Sequence, residues 1–307
     1  MSLAALVRAV PPGAAVVLVC DGEVHCHGRT AFSGGEPVTP ATGFETGSVS
    51  KTFTALLLAE AVHRGEIALD EPVPVGGALV TPLRLATHTA GLPRLPPGLL
   101  RSGLASWGSN PYAAYSAADL TQALDRTRVR RHPGVHYSNY GVGLLGRLLA
   151  DRAGLDYPAL LATRICTPLG LTGTTCTPGT AVGHHRGRPL PPWEIPALPG
   201  AGAVRSTGQD LQRYLAAHLA PGGPLAPALR DVQLPRLRRG RTGPALGLAW
   251  HLRDGCWFHS GATRGFTALV AFNPGTGRAV AALTNTGPAR RFLDTAYGLL
   301  YRTEPNA

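Results

Sequence analysis

The sequence has almost no lysine. Among its 29 Lys and Arg residues, Lys51 is the single Lys. A preference for Arg of this kind is what a GC-rich bacterial genome produces, and it sets the one amine apart. Arg keeps its charge in a protein, whereas a buried Lys can lose its proton. Lys51 is therefore read as a titrating group rather than a surface charge. Charge of either sign is also sparse, at 15% of residues against 44% apolar ones, which excludes a disordered chain. Cysteine follows no pattern. Cys20, Cys26, Cys166, Cys176 and Cys256 are odd in number and form no Cys-x-x-Cys pair, which argues for free thiols over a disulfide framework. The first residues lack a charged start, an apolar stretch and a cleavage site. The apolar run at 14–20 is too short to span a bilayer. A cytoplasmic protein with no membrane association is expected.

The net charge of +11 would suit a nucleic-acid partner. However, the Arg residues are scattered. The two densest clusters, at 128–131 and 236–241, are not interleaved with aromatics, so no nucleic-acid partner is expected.

What is present is a chain of 307 residues, long enough for a sizeable core. Residues 14–20 and 23–29 flank Asp21-Gly22, a strong hairpin signal. His25 and His27 share one face of the second strand and are read as solvent-side residues on a sheet edge, with no third metal ligand nearby. Apolar residues Phe53, Leu56, Leu57 and Ala61 recur at helical spacing, which predicts a helix over 47–64 ended by Gly65. Shorter helices are expected at 83–87, 117–126 (capped by Ser116), 139–152, 158–166 and 208–219 (capped by Thr207). Residues 179–202 read as a loop near a cleft. From Gly243 the pattern returns to strands, at 245–252, 256–260, 265–272 and 278–284, before a last helix at 289–301. Strands at both ends with helices between predict an α/β (α+β) fold. It would be one antiparallel sheet built from both termini, with 1–75 and 200–307 as the sheet domain and 76–199 as an inserted, mainly helical domain. The active site would lie between them.

Three motifs carry chemistry. Ser48 and Lys51 stand three residues apart, so on a helix their side chains meet on one face. A serine hydroxyl needs a base before it attacks, and an amine with a lowered pKa can serve. The first turn also concentrates unpaired N–H groups and the positive end of the helix dipole. Tyr137-Ser138-Asn139 opens the next strongly apolar helix after Pro133-Gly134. His259-Ser260-Gly261-Ala262 ends a strand ahead of Gly265-Phe266.

In this order and at these spacings, the three motifs resemble those of the penicillin-recognising serine hydrolases. That group comprises class C β-lactamases, D-Ala-D-Ala carboxypeptidases and family VIII esterases. The segments 44–53, 87–93, 110–113 and 168–170 add to the likeness, which spans nearly the whole chain. The resemblance implies a Ser48 acyl-enzyme, Lys51 as base, and Tyr137 as the group that carries the proton to the leaving group. A nearby cation would bring the Tyr137 phenol into a useful range. The backbone N–H groups of Ser48 and Ala262 would form an oxyanion hole. Asn139 would touch substrate and Lys51, and His259, Gly261 and Ala262 would line the substrate. His88 and Trp193 are weaker cleft candidates. No cofactor and no metal are implied.

One departure matters. Where the lactamases and peptidases usually carry Lys, this chain has His259, and a neutral imidazole attracts an anion less. The resemblance therefore favours an esterase or biosynthetic transacylase taking a small-molecule ester or amide, with an amine or alcohol as the alternative acceptor to water. A β-lactamase or D-Ala-D-Ala carboxypeptidase is the second reading. A non-turnover penicillin-binding sensor is the alternative of another class.

Overall fold

The structure is a computed structural model and describes residues 3–131, 134–238 and 243–300. Pro133 of the expected Pro133-Gly134 turn, the Arg239–Arg241 end of the second Arg cluster and Tyr301 lie outside the described residues.

An eight-stranded antiparallel sheet organises the molecule. Its order is Glu23–His27, Val16–Cys20, Arg278–Thr284, Thr267–Asn273, Cys256–Ala262, His251–Arg253, Ala245–Leu246 and Leu237–Arg238. The N-terminal hairpin thus forms one end of the sheet and pairs with the last strand, Val16 opposite Thr284. Period-two alternation divides the strands between two apolar layers. Val17, Val19, Ala268, Val270 and Phe272 face the main core. Val16, Leu18, Leu269, Ala271, Val280 and Ala282 face a smaller one, closed by Leu6, Phe292, Ala296 and Leu299. His25 and His27 are exposed on the edge strand, as expected.

The expected strand at 245–252 is instead two short strands, Ala245–Leu246 and His251–Arg253, which pair with each other. Ala249 between them takes a left-handed φ of 59° and its N–H bonds the Ala86 carbonyl, so the chain turns where continuous apolar character suggested extension. The segment at 158–166 also differs: an α-turn at Tyr157–Leu161 widens into a π-helix over Ala162–Cys166. The predicted caps are in place. The Ser116 side chain accepts from Asp119 N, and the Thr207 side chain from Asp210 N.

The central helix, Ser50–His63, is entered through a 3₁₀ turn at Gly47–Val49. An apolar stripe was expected, but the helix is buried nearly all round, including Ser50, Lys51, Thr52 and Thr54. Such burial requires each polar side chain to find a partner. Ser50 Oγ donates to Gly47 O at 2.6 Å and accepts from Val204 N. Thr52 Oγ1 bonds Val49 O, and Thr54 Oγ1 meets Tyr157 Oη and Gly200 O. One continuous apolar core joins this helix to the sheet on one side and to Asn139–Ala153 on the other. Among the described residues, no helix is long and apolar enough to cross a membrane, and none of the five cysteines is in a disulfide.

Candidate active site

Ser48 sits in the 3₁₀ turn, partly exposed, at the mouth of the central helix. One turn on, Lys51 is fully buried, and its Nζ lies 3.0 Å from Ser48 Oγ and 2.7 Å from the Ala201 carbonyl. Burial lowers the Lys51 pKa to about 7, and the Arg94 guanidinium adds to the effect by like-charge repulsion. The amine is therefore substantially neutral near pH 7 and can accept the Ser48 proton.

Tyr137 completes the group. Ser48 acts on its hydroxyl, favouring the ionised form, and Lys51 Nζ lies 5.0 Å from its ring centroid. Arg94 also lies over the ring, with Cζ at 5.2 Å. The expectation that nearby cations bring the phenol toward neutrality is not met. Burial pushes Tyr137 up to about 12, outweighing Ser48 and Arg94. Tyr137 thus keeps its proton near pH 7, whereas the buried amine titrates there.

The segment carrying Tyr137 is held by His88. The His88 carbonyl accepts from His136 N at 2.8 Å and its Nδ1 from Ser138 N at 3.2 Å, while its ring lies 4.5 Å from that of Tyr137. Burial lowers the His88 pKa to about 3, with Lys51, His251 and Arg94 adding repulsion, so its ring is neutral. His88 is thus a support beneath Tyr137. Ser138 caps the following helix by accepting from Gly141 N at 2.9 Å.

Asn139 does not hydrogen-bond Lys51 as expected. Its Nδ2 donates to Tyr112 Oη at 3.0 Å and its buried Oδ1 has no hydrogen-bond partner, while the Lys51 amine bonds Ser48 and Ala201. Tyr112 in turn packs edge-on against Trp193 at 5.7 Å.

The strand Cys256–Ala262 passes directly behind the 3₁₀ turn. Gly47 has a left-handed φ of 52°, and a Cβ there would lie 2.7 Å from the Ala262 backbone. A Cβ on Gly261 would come within 2.0 Å of Thr46 O and 2.8 Å of Ser48 N. Only glycine at both positions allows the two backbones to touch. Thr263 N donates to Phe266 O, so alternation in the antiparallel pair turns the Ala262 N–H toward the opposite edge. The neighbouring strand has already ended there, at His251 opposite Phe258. The Ala262 N–H is thus left on an open strand edge, next to the close contact that Gly261 makes with the Ser48 turn.

His259 requires a correction. It was expected to line the substrate, but it is 2% exposed, and its Nδ1 lies 2.8 Å from Ser260 O. A carbonyl only accepts, so Nδ1 carries the proton and Nε2 is an unprotonated, buried atom without a hydrogen-bond partner. Burial first, then His251 and Lys51, hold its pKa well below the usual histidine range. It therefore brings no cation to the cleft. Sequence reasoning assigned no role to Ala201, Arg94, Tyr112 or Glu45. The 179–202 loop, read as lying near a cleft, does supply Ala201 and Trp193.

Comparison with known proteins identifies the family. A family model described as Beta-lactamase matches residues 4–302. The chain is similar to a β-lactamase of Escherichia coli strain K12, at 29% identity over 94% of this chain and 88% of the relative. It is 30% identical to penicillin-binding protein 4 of Amycolatopsis lactamdurans, over 92% and 82% of the two chains. The crystal structure of a β-lactamase/D-alanine carboxypeptidase from Pseudomonas syringae superposes with a TM-score of 0.80 at 23% identity, covering 95% of this chain and 94% of that one.

Proposed function

Because the chain belongs to the β-lactamase family of serine hydrolases, we propose that it cleaves a small ester or amide through an acyl-enzyme on Ser48. The observation that carries this reading is the buried Lys51 amine 3.0 Å from Ser48 Oγ, with its pKa lowered to about 7. Neutral Lys51 takes the Ser48 proton as the oxygen attacks the carbonyl. The oxyanion develops against the amides of Ser48 and Ala262, each worth about 3–4 kcal/mol in comparable sites. Protonated Tyr137 donates to the departing oxygen or nitrogen and is reprotonated from Lys51. A water, amine or alcohol then enters with the roles reversed.

Residue 259 gives an anionic acyl donor no cation to pair with. This is supported by His259, which is uncharged and turned into the protein where a cation would be needed to hold a carboxylate. An esterase or transacylase is accordingly the preferred reading. A β-lactamase or D-Ala-D-Ala carboxypeptidase is the second, favoured by the names of the relatives above.

A panel of p-nitrophenyl esters, a chromogenic cephalosporin and candidate amines, followed by intact-protein mass, separates these readings. Expected is a transient adduct on Ser48 with esters, faster turnover of neutral esters than of the cephalosporin, and loss of both in Ser48→Ala. Activity of Ser48→Ala within tenfold of the wild type defeats the mechanism. A permanent adduct without turnover makes the protein a sensor.

A further inference from the structure

Glu45 lies three residues ahead of Ser48 and takes no part in the proton transfers above. It is nonetheless buried, at 8% exposure, and both of its oxygens are committed. Oε1 accepts from Trp193 N at 2.6 Å, and Oε2 accepts from the Thr263 hydroxyl at 2.7 Å. Arg205, opposite it in the paired strands Phe44–Glu45 and Arg205–Ser206, places Nη2 3.7 Å from Oε1. Arg205 is itself 2% exposed and fixed by the carbonyls of Cys176, Ala203 and Trp193.

Thr263 immediately follows Ala262. Its hydroxyl oxygen accepts from Gly265 N at 3.3 Å and Phe266 N at 3.1 Å. With its acceptor side so occupied, the hydroxyl has its proton left to give, and Glu45 is where the proton points. The carboxylate thus joins two chain segments at one point: the one entering the nucleophile turn, and the strand end bearing the Ala262 amide.

We propose that Glu45 is a positioning residue for the oxyanion hole, locking the Ala262 amide in register with the Ser48 amide through the Thr263 hydroxyl. The proposal rests on the Ser48 acyl-enzyme reading. Close contact at Gly47 and Gly261 brings the two backbones together, and the Glu45–Thr263 bond ties them by a direct side-chain hydrogen bond. The Trp193 amide anchors the same carboxylate to the 179–202 segment. Donors preorganised toward a developing charge depend on their placement, and a misplacement of about 1 Å can cost about 10²-fold in rate. Glutamine cannot substitute: one of its two ends is an NH₂ donor, which must face either the Trp193 N–H or the Thr263 O–H.

The test is phosphonylation by an alkyl fluorophosphonate, read by intact mass and peptide mapping. Ser48 Oγ bonds to phosphorus, the P–F bond breaks, fluoride leaves with the electron pair, and the serine proton passes to Lys51. The phosphonyl oxygen occupies the oxyanion hole, so the rate reports its geometry. Glu45→Gln and Thr263→Val are each expected to lower the plateau rate 10- to 100-fold, with the double variant no slower than the worse single. Thr263→Ser restores the rate to within threefold of the wild type. The pH at which the rate reaches half its plateau stays in place, because Lys51 is untouched. A merely structural role predicts instead a lowered melting temperature with an unchanged plateau for the folded fraction. Should Glu45→Gln not fold, the Thr263→Val and Thr263→Ser pair decides alone. If the wild type labels at Ser48 and the variants label within threefold of it, the positioning role is overturned and the acyl-enzyme reading stands. If the wild type gives no Ser48 label, both fall.

Discussion

Ala201 and Lys51 are 150 residues apart, yet the Ala201 carbonyl accepts from Lys51 Nζ at 2.7 Å, closer than the 3.0 Å to Ser48. A carbonyl can only accept, so it holds one N–H whether the amine is neutral or charged. In the neutral amine the lone pair is then left for Ser48. Lys51→Arg keeps a cation and a donor to Ala201 but supplies no base, since guanidinium does not deprotonate. The expected result is a loss of at least about 10³-fold in kcat, of the order seen when a general base is removed, with the far-UV circular dichroism unchanged. An Lys51→Arg enzyme within tenfold of wild type removes Lys51 as the base.

The pH profile follows from the same amine. Its pKa is lowered to about 7, chiefly by burial and secondarily by Arg94. The active, neutral form therefore predominates above that pH and is lost below it. Log kcat/KM should rise with unit slope to a bend near pH 7, then stay level, because Tyr137 is held up to about 12. Arg94 is exposed, so its effect is screened by salt. Removing this like charge in Arg94→Gln should raise the Lys51 pKa and move the bend to higher pH by a fraction of a unit, less in high salt. A bend that moves down, or does not move at low salt, refutes the coupling. Stability carries the same sign. Between about pH 7 and the ordinary lysine value near 10.4, the unfolded chain holds a proton that the folded one has lost, so stability rises with pH across that window.

The close contact behind the nucleophile gives a steric prediction. A Cβ on Gly261 would lie 2.0 Å from Thr46 O and 2.8 Å from Ser48 N, both backbone atoms that cannot swing aside. Gly261→Ala must push the strand away from the turn and separate the two oxyanion amides. Loss of one such donor costs about 10²–10³ in kcat, and overpacking costs about 1–3 kcal/mol of stability. Gly22→Ala, a left-handed position where a Cβ would meet nothing within 4 Å, is the control for destabilisation without a clash. It should lower the melting temperature while leaving kcat intact. A Gly261→Ala enzyme with wild-type kcat contradicts the placement of the hole.

Much of this was legible in the sequence because it is written locally. Ser48 and Lys51 share a helix turn, Asp21-Gly22 makes a hairpin, and Ser116 and Thr207 cap helices through contacts three residues long. The strand pattern gave the sheet because alternation is a local property as well. What could not be read is what depends on long-range burial. Tyr137 was expected to be eased toward neutrality by cations, and the cations are there, but desolvation outweighs them. His259 sits at the expected place in its strand, yet its ring bonds its own neighbour's carbonyl, a rotamer that no spacing encodes. Glu45 stands in the same short segment as Ser48, but its partners, Trp193 and Thr263, are 148 and 218 residues away.

His259 offers the sharpest test of substrate charge. Its imidazole is neutral, buried and bonded to Ser260 O, so the wild-type cleft gains no cation from this position. Lysine has a longer, flexible stem and a charge that is costly to bury, and it will extend toward the open cleft if the path exists. His259→Lys should therefore improve kcat/KM for a carboxylate-bearing chromogenic cephalosporin relative to a neutral p-nitrophenyl ester, by about tenfold or more for one added ionic contact. The new ammonium also lies near Lys51, whose charge already acts on His259, so it should lower the Lys51 pKa and shift the acid limb below pH 7. The two effects are separable, since a shifted limb reports the new charge and altered selectivity reports where that charge points. If the limb shifts and selectivity does not change, the cation has stayed inside the protein and residue 259 does not set preference for substrate charge. If selectivity reverses toward the cephalosporin, the side chain at position 259 sets the preference for substrate charge.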